Sequence, residues 1–319
     1  MTKTEIARLR KLLSGPIGKR LDKANAANAA PLLRIRNKDS RREATRVLAA
    51  TLDRSAAKAF AAIVEQDRSK LDARLKKIKA DAVRASRDRQ RALKVAAAQY
   101  LNEWQQLVQV PLDPGQIGHI LLNVPFDISP GGDAELEQSQ IIANNSFAKF
   151  RTSVQDGEEF RGEARFSFVW VNPKTTFEVI NISGFVIFNG HCSLGTGGGI
   201  FPGDRNASVI VEGRLEILEV SNNPPTSPPG QPDQFVTALT MSEDTGGWGE
   251  VGAVDARDLF RGSGLNHTQM IVPPQATIVF VVVASVRCDT GDDSSNAAAD
   301  FASGAFQVGS PAVLLATFT

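Results

Sequence analysis

From Ser40 to Val110 the chain carries neither glycine nor proline, although it holds 26 Gly and 16 Pro in all. Those two residues are the strongest interrupters of regular backbone, so their absence over so long a run leaves few structures open. Alanine, leucine, lysine, arginine and glutamine dominate the run, and all are good helix formers. Ser40 and Glu43 have the spacing of a capping box. Acid–base pairs recur at helical spacing, among them Glu43/Arg46, Asp72/Lys76, Asp81/Arg84 and Asp88/Arg91. Pro111 and the Asp113-Pro114-Gly115 turn end it. The expectation is one long helix over residues 40–110.

A helix of that length is rarely alone in water, because its apolar positions need a partner. Leu71, Leu75, Ile78, Ala82 and Ala85 follow alternating steps of four and three residues, a heptad seam that Ala92 and Ala96 resume. Two arrangements bury such a seam. Copies of the chain can associate as a coiled coil, or the helix can fold back as a hairpin near residues 66–70 or 86–90.

Charge divides the chain in the same place. Residues 1–105 carry 26 Lys and Arg against 11 Asp and Glu, a net of +15. Residues 106–319 carry 10 against 24, a net of −14, and the overall +1 hides both. Arg68, Lys70, Arg74, Lys76, Lys77, Lys79, Arg84, Arg87, Arg91 and Lys94 form the basic arm. Its partner would be a polyanion, an acidic lipid surface or an acidic protein surface, including the acidic part of another copy. For nucleic acid the case is weaker, because the basic residues ring the helix. Phe60, Tyr100 and Trp104 are also too sparse for a stacking platform.

Residues 1–39 read as a short amphipathic helix with Ile6, Leu9 and Leu13 on one face, followed by an Asn/Ala-rich linker. The N-terminus has no uncharged apolar run, so it is not a secretory signal, and the expected location is the cytoplasm. Export by an unconventional route or within an assembled particle stays open. No stretch reaches the length of a membrane-spanning helix.

Beyond residue 116 the period changes from helical to alternating. Phe166, Phe168 and Trp170 alternate with Ser167, Val169 and Val171. Strand-like runs follow at 117–124, 176–189, 208–220, 235–241, 267–272, 276–287 and 311–318, separated by Gly, Pro, Asn and Asp clusters. About eight strands and no convincing helix predict an antiparallel β-sandwich or jelly roll over residues 111–319. The run Thr277-Ile-Val-Phe-Val-Val-Val-Ala-Ser-Val286 is apolar at both parities, which marks a strand covered on both faces.

Candidate chemistry is sparse. The glycine-dense loop at 195–205 lacks the Gly-Lys-Ser/Thr ending of a phosphate loop, and it offers Asp204 and Arg205 as rim contacts. Trp248, set between glycines at 245–252, is either an exposed aromatic for ligand binding or a plug for the end of the sandwich. Asp289, Asp292 and Asp293 in the turn at 288–296 are carboxylates of the kind that hold calcium, although the spacing is not that of an EF-hand. The Pro-rich stretch 222–234 reads as an exposed loop. His191 and Cys192 are neighbours in a strand, where adjacent side chains point to opposite faces, so they do not form a thiol–imidazole pair. Cys192 and Cys288 are too few for a structural zinc site or a disulfide framework.

These residues predict a non-enzymatic, oligomeric structural or binding protein, in which a helical stalk carries a β-sandwich whose loops meet a partner or a glycan. The plan is similar to that of fibre and receptor-binding proteins with a coiled-coil stem and a jelly-roll tip, a resemblance of architecture alone. Two other readings use the basic arm: a shell or filament subunit joined arm to head, and a nucleic-acid-associated protein. No cofactor other than calcium is implied.

Overall fold

The computed structural model describes residues 69–70, 72–88, 91–92, 95, 117–197, 205–220, 234–245, 252–291 and 294–318. The amphipathic segment and linker of 1–39 and most of 40–110 lie outside the described residues. So do the loop tips at 198–204, 221–233, 246–251 and 292–293.

In chain order the strands are β1 Ile117–Leu122, β2 Asp127–Gly132, β3 Gln138–Gln140, β4 Ser146–Lys149, β5 Arg151–Gln155, β6 Glu159–Val171 and β7 Glu178–Thr196. They continue with β8 Asn206–Glu219, β9 Gln234–Asp244, β10 Ala253–Val272, β11 Thr277–Thr290, β12 Ser295–Asp300, β13 Gln307–Ser310 and β14 Val313–Phe318. Among the described residues they form two antiparallel sheets, one of nine strands and one of five. The spine of the larger sheet is β7. On one side β10 pairs along its whole length, from Ala253 opposite Thr196 to Val272 opposite Glu178. On its other side β14, β13 and β12 pair end to end, and β1, β4 and β5 continue the sheet beyond them. The smaller sheet runs β2-β6-β11-β8-β9.

Alternation explains the sandwich. Phe166, Phe168 and Trp170 of β6, Phe280 and Val282 of β11, and Ile180 and Phe188 of β7 all enter one buried core between the sheets. The doubly apolar β11 is covered on both faces, as expected. Its outward residues Val279, Val281 and Val283 are buried with Phe126 and Leu218 in a second cluster on the outside of the five-stranded sheet. Burying several large side chains of this kind contributes about 1.5–3 kcal/mol each before chain entropy is counted.

The eight expected strands are all present, and six more join them. Strands β2, β3, β4, β5, β12 and β13 are three to six residues long, rich in Ser, Gln, Ala and Gly, and carry little hydrophobic signal of their own. They exist because longer neighbours offer paired edges, which is tertiary context rather than propensity.

The helix expected over 40–110 falls only in part within the described residues. The helix that the structure describes as continuous, α1, spans residues 72–88. Among the described residues there is no second helix to meet its seam. Leu75, Ala82 and Ser86 are buried, and from that side Lys79 pairs with Asp300 at 2.6 Å. The Asn296 amide donates to the Asp72 carboxylate at 3.2 Å, and the Ala305 amide donates to Ser86 Oγ at 3.3 Å. The helix therefore packs on its own sandwich, beside β12 and the turn after it. Ala85, a seam position, is exposed. Of the basic arm, Lys70, Arg74, Lys76, Lys77, Arg84, Arg87 and Arg91 are exposed and Lys79 is half-buried; Arg68 and Lys94 lie outside the described residues.

Candidate functional site

Strand register collects the candidate loops at one end. Thr196, at the end of β7, pairs with both Ala253 and Ser295. Asn206 at the start of β8 pairs with Asp244 at the end of β9, and Asp289 of β11 pairs with Glu159. The glycine loop, the Trp248 loop, the acidic turn after β11 and the tight turn between β5 and β6 thus all leave from the same pole. The Pro-rich loop between β8 and β9 leaves from the opposite pole, with the turns that follow β6 and β10.

The loop bases are tied together by backbone. Gly197 N donates to Ser294 O at 2.7 Å, Thr245 N to Arg205 O at 3.1 Å and Gly291 N to Asn206 O at 2.7 Å. A Cβ on Gly197 would meet the Ser294 Cβ at 2.7 Å, so that approach needs glycine. Asp156 Oδ1 accepts from Ser295 N, and the Glu158 carboxylate accepts from Gln155 N, which fixes the β5–β6 turn. Asp156, Glu158, Glu159, Asp244, Asp255 and Asp289 outnumber Arg161, Arg205, Arg257 and Arg287 at the described part of this pole, although Arg161 pairs with Glu159 and Arg257 with Asp255.

The residues expected to bind are placed as follows. Arg205 is not a rim contact: it is 2 % exposed, because it shares the inward parity of Ala207 and Val209 at the start of β8. Asp204 and Trp248 lie outside the described residues. Asp289 is half-buried on the outward face of β11, opposite Glu159 and Ser208, and near Arg287, whose pKa burial lowers while Asp289 opposes that shift. Asp292 and Asp293 lie outside the described residues. Among the described residues no three His, Cys, Asp or Glu side chains converge as a metal site.

Two polar arrangements were not read from the sequence. On the outside of the five-stranded sheet, Arg165 pairs with Glu163 at 2.6 Å, Glu163 with Arg214 at 3.0 Å, and Arg214 with Glu216 at 2.6 Å. These side chains are between 1 and 14 % exposed. Burial opposes the Glu163 charge, but Arg165 and Arg214 outweigh it and hold its carboxyl below the ordinary value. For Glu216 burial wins over Arg214 and raises the pKa. The signal was available in the alternating Glu163-x-Arg165 and Arg214-x-Glu216, which share one strand face.

On the outside of the nine-stranded sheet, one row runs Arg151, Asp300, His191, Asp258 across β5, β12, β7 and β10. His191 Nδ1 donates to Asp258 Oδ1 at 2.9 Å, and the imidazole is buried. Cys192 points to the other side, into the core, so the neighbouring pair is split as strand geometry requires. Both cysteines are free thiols. Burial pushes the Cys192 thiol well up and that of Cys288 to about 12, which leaves neither a nucleophile.

No family model and no curated protein sequence matches the chain. Among solved structures it is similar to TmCBM61 in complex with β-1,4-galactotriose, at 12 % identity over 59 % of this chain and 86 % of that one, with a TM-score of 0.17. It is also similar to the C-terminal family 22 carbohydrate binding module of Clostridium thermocellum Xyn10B, at 13 % identity over 60 % and 85 % of the two chains, TM-score 0.18. A CocE/NonD family hydrolase from Staphylococcus aureus stands beside them, at 8 % identity over 58 % and 40 %, TM-score 0.20. Scores this low fix neither a ligand nor an activity for this chain.

Proposed function

We propose that the protein is a non-enzymatic binding protein whose loop-bearing acidic pole takes a neutral polyhydroxyl ligand, a glycan. The observation that carries this is the convergence of four turns on one end of a rigid sandwich, with their bases interlocked through Gly197, Thr245 and Gly291. Binding loops gain precision from such a scaffold. Carboxylates at that pole accept hydrogen bonds from sugar hydroxyls. Trp248, which the sequence sets among glycines, is the aromatic that would lie against the apolar face of a sugar ring. Trp170, by contrast, is core.

The test is calorimetric titration of the full chain with a panel of neutral oligosaccharides, repeated with Trp248→Ala. The expected result is saturable binding to some of the panel and a loss of about tenfold or more in the variant, the scale of one aromatic contact. Binding that is unchanged in Trp248→Ala would remove the loop pole from the site. A wild-type chain that binds none of the panel would remove the glycan.

A further inference from the structure

The contacts of α1 define the face it turns to the sandwich. Asp72 accepts from Asn296 Nδ2, Lys79 pairs with Asp300, and Ser86 Oγ accepts from the Ala305 amide. Val83 stands against Gly304, where a Cβ would meet Val83 Cγ1 at 3.3 Å. Residues 72, 79, 83 and 86 lie on one side of a helix. Arg91, Ala92 and Val95 are helical and exposed, as positions on the opposite side of the same helix are. The other residues of 89–110 lie outside the described ones. Continued by steps of three and four, the contact face runs through Gln90 and then Leu93, Ala97, Leu101, Trp104 and Val108, five apolar residues. Glu103, the only charged residue from 95 to 110, falls on the other side.

The sheet beneath is divided in the same way. Where α1 sits, the outward row is charged: Arg151, Asp300, His191 and Asp258. Toward the start of β7 the charge stops. The outward positions of β7 from Val179 to Asn189, of β14, and of β10 from Phe260 to Ile271 hold no Asp, Glu, Lys or Arg. Phe185 and Leu314 join an apolar cluster on this face, and Phe177, Val179, Ile271 and Phe318 are exposed at its far end. In a chain with 22 % charged residues, an uncharged face with exposed large apolar side chains marks a contact surface.

Length fits as well. Asn296 pairs with Gly195 of β7, and the Ala305 carbonyl accepts from Asn189. From Asp72 to Ser86 the helix rises about 21 Å, and from Gly195 to Asn189 the strand spans about 20 Å, so α1 follows β7 toward its start. From Asn189 to Glu178 there remain about 36 Å, which a helix continuing from Ser86 covers on reaching Val110, the residue before Pro111. The chain then enters β1 at Ile117, opposite Phe318, at that same end.

We propose that residues 89–110 carry α1 on along the outer face of the nine-stranded sheet and lay Leu93, Ala97, Leu101, Trp104 and Val108 on its uncharged half, as far as Val179. Charged helix meets charged sheet, and apolar helix meets apolar sheet. The whole helix braces the sandwich from the loop pole to the opposite pole, and the chain ahead of Asp72 leaves beside the loops.

The experiment uses the full chain, whose Cys192 and Cys288 are buried and leave added thiols to react alone. Val108→Cys and Val179→Cys are combined and treated with a short bismaleimide. The rise of the helix sets Val108 level with Val179, so the two should link within one chain, read as a joined peptide at monomer mass. Glu103→Cys with Val179→Cys, on the far side of the helix, should link far less. The second measurement is hydrogen exchange. Amides of 100–110 should be protected in the wild-type chain and exchange about tenfold or more faster in Val179→Asp, while 72–88 stay protected. Links formed only between chains would assign the face to a second copy and overturn the proposal. So would equal linking of both cysteine pairs, linking of neither, wild-type amides at 100–110 that exchange like free chain, or exchange that Val179→Asp leaves unchanged.

Discussion

The two outer faces of the sandwich handle charge differently. On the five-stranded sheet, Arg165, Glu163, Arg214 and Glu216 come from the neighbouring strands β6 and β8 and neutralise one another within the sheet. On the nine-stranded sheet, the cation that meets the buried Asp300 comes from a helix more than two hundred residues away in sequence. A ladder built from one sheet can be broken only by unfolding that sheet. A contact between a sheet and a distant helix can open while the sheet stays intact. The first face is closed within one sheet, and the second depends on a contact with α1.

The largest effect tests the first half of that contrast. Arg214→Met leaves Glu163 with one cation in place of two and takes the Arg214 guanidinium from the buried Glu216. Removing one member of a buried pair typically costs about 3–5 kcal/mol. The expected outcome is a loss of that order in the free energy of urea unfolding, with the whole transition moving as one. A loss under about 1 kcal/mol would show that the ladder is solvated like an ordinary surface pair.

Asp300→Ala tests the second half. The substitution removes three hydrogen bonds to a charged acceptor as well as the Lys79 pair. Bonds to charged groups are worth about 1.5–3 kcal/mol each, but the freed amides of Ala302 and Ser303 gain water, so a net loss near the lower figure is expected. The distinguishing readout is regional. Exchange should accelerate in α1 and in residues 301–306 before it does in β7 and β11. Uniform acceleration would place the Lys79–Asp300 pair within the cooperative core and erase the difference between the faces.

How far the sequence foretold these faces depends on which interactions are local. The sandwich, the doubly covered β11 and the split of His191 and Cys192 to opposite faces were legible, because alternation is a property of one strand. The six short strands were not, since Ser295–Asp300 or Gln138–Gln140 pair only because β7 and β4 present edges to them. Arg205 was misplaced from rim to interior: charge argued for exposure, and only the parity shared with Ala207 and Val209 argued against it. The seam of α1 was legible as a pattern but not as a contact, because heptad spacing says that a face needs a partner without saying which. The loop pole was half-legible. Each loop could be read singly, while their convergence follows from register across three non-consecutive pairings.

Gly304→Ala is a milder probe of the helix-bearing face. At φ of +60° a side chain costs about 1–2 kcal/mol, and its Cβ would press on Ser86 and Val83 at 3.3 Å. The helix should loosen by hydrogen exchange while the urea midpoint of the sandwich changes little. An equal shift in both would mean that α1 and the sandwich unfold together.

The smallest effect separates the faces by sign. Glu216 has its pKa raised above the ordinary 4.5 by burial, which outweighs Arg214. The folded state therefore holds that proton more tightly than the unfolded chain does, and this group adds stability as the pH falls toward 4.5. Asp300 is the reverse. Burial opposes its charge, but the bonds from Lys79, Ser303 and Ala302 outweigh burial and hold it below 3.8. Its contribution is fully present above 3.8 and is lost as the pH falls through its lowered value. Glu163 behaves like Asp300, losing its contribution below 4.5, so Glu216 has to be read through Glu216→Gln against the wild-type chain. The difference between those two should shrink as the pH is lowered toward 4.5, and the difference between Asp300→Asn and wild type should shrink only below 3.8. If both differences close over the same pH range, the charge on the two faces is held in the same way, and the contrast between a ladder within one sheet and an ion pair to a distant helix fails.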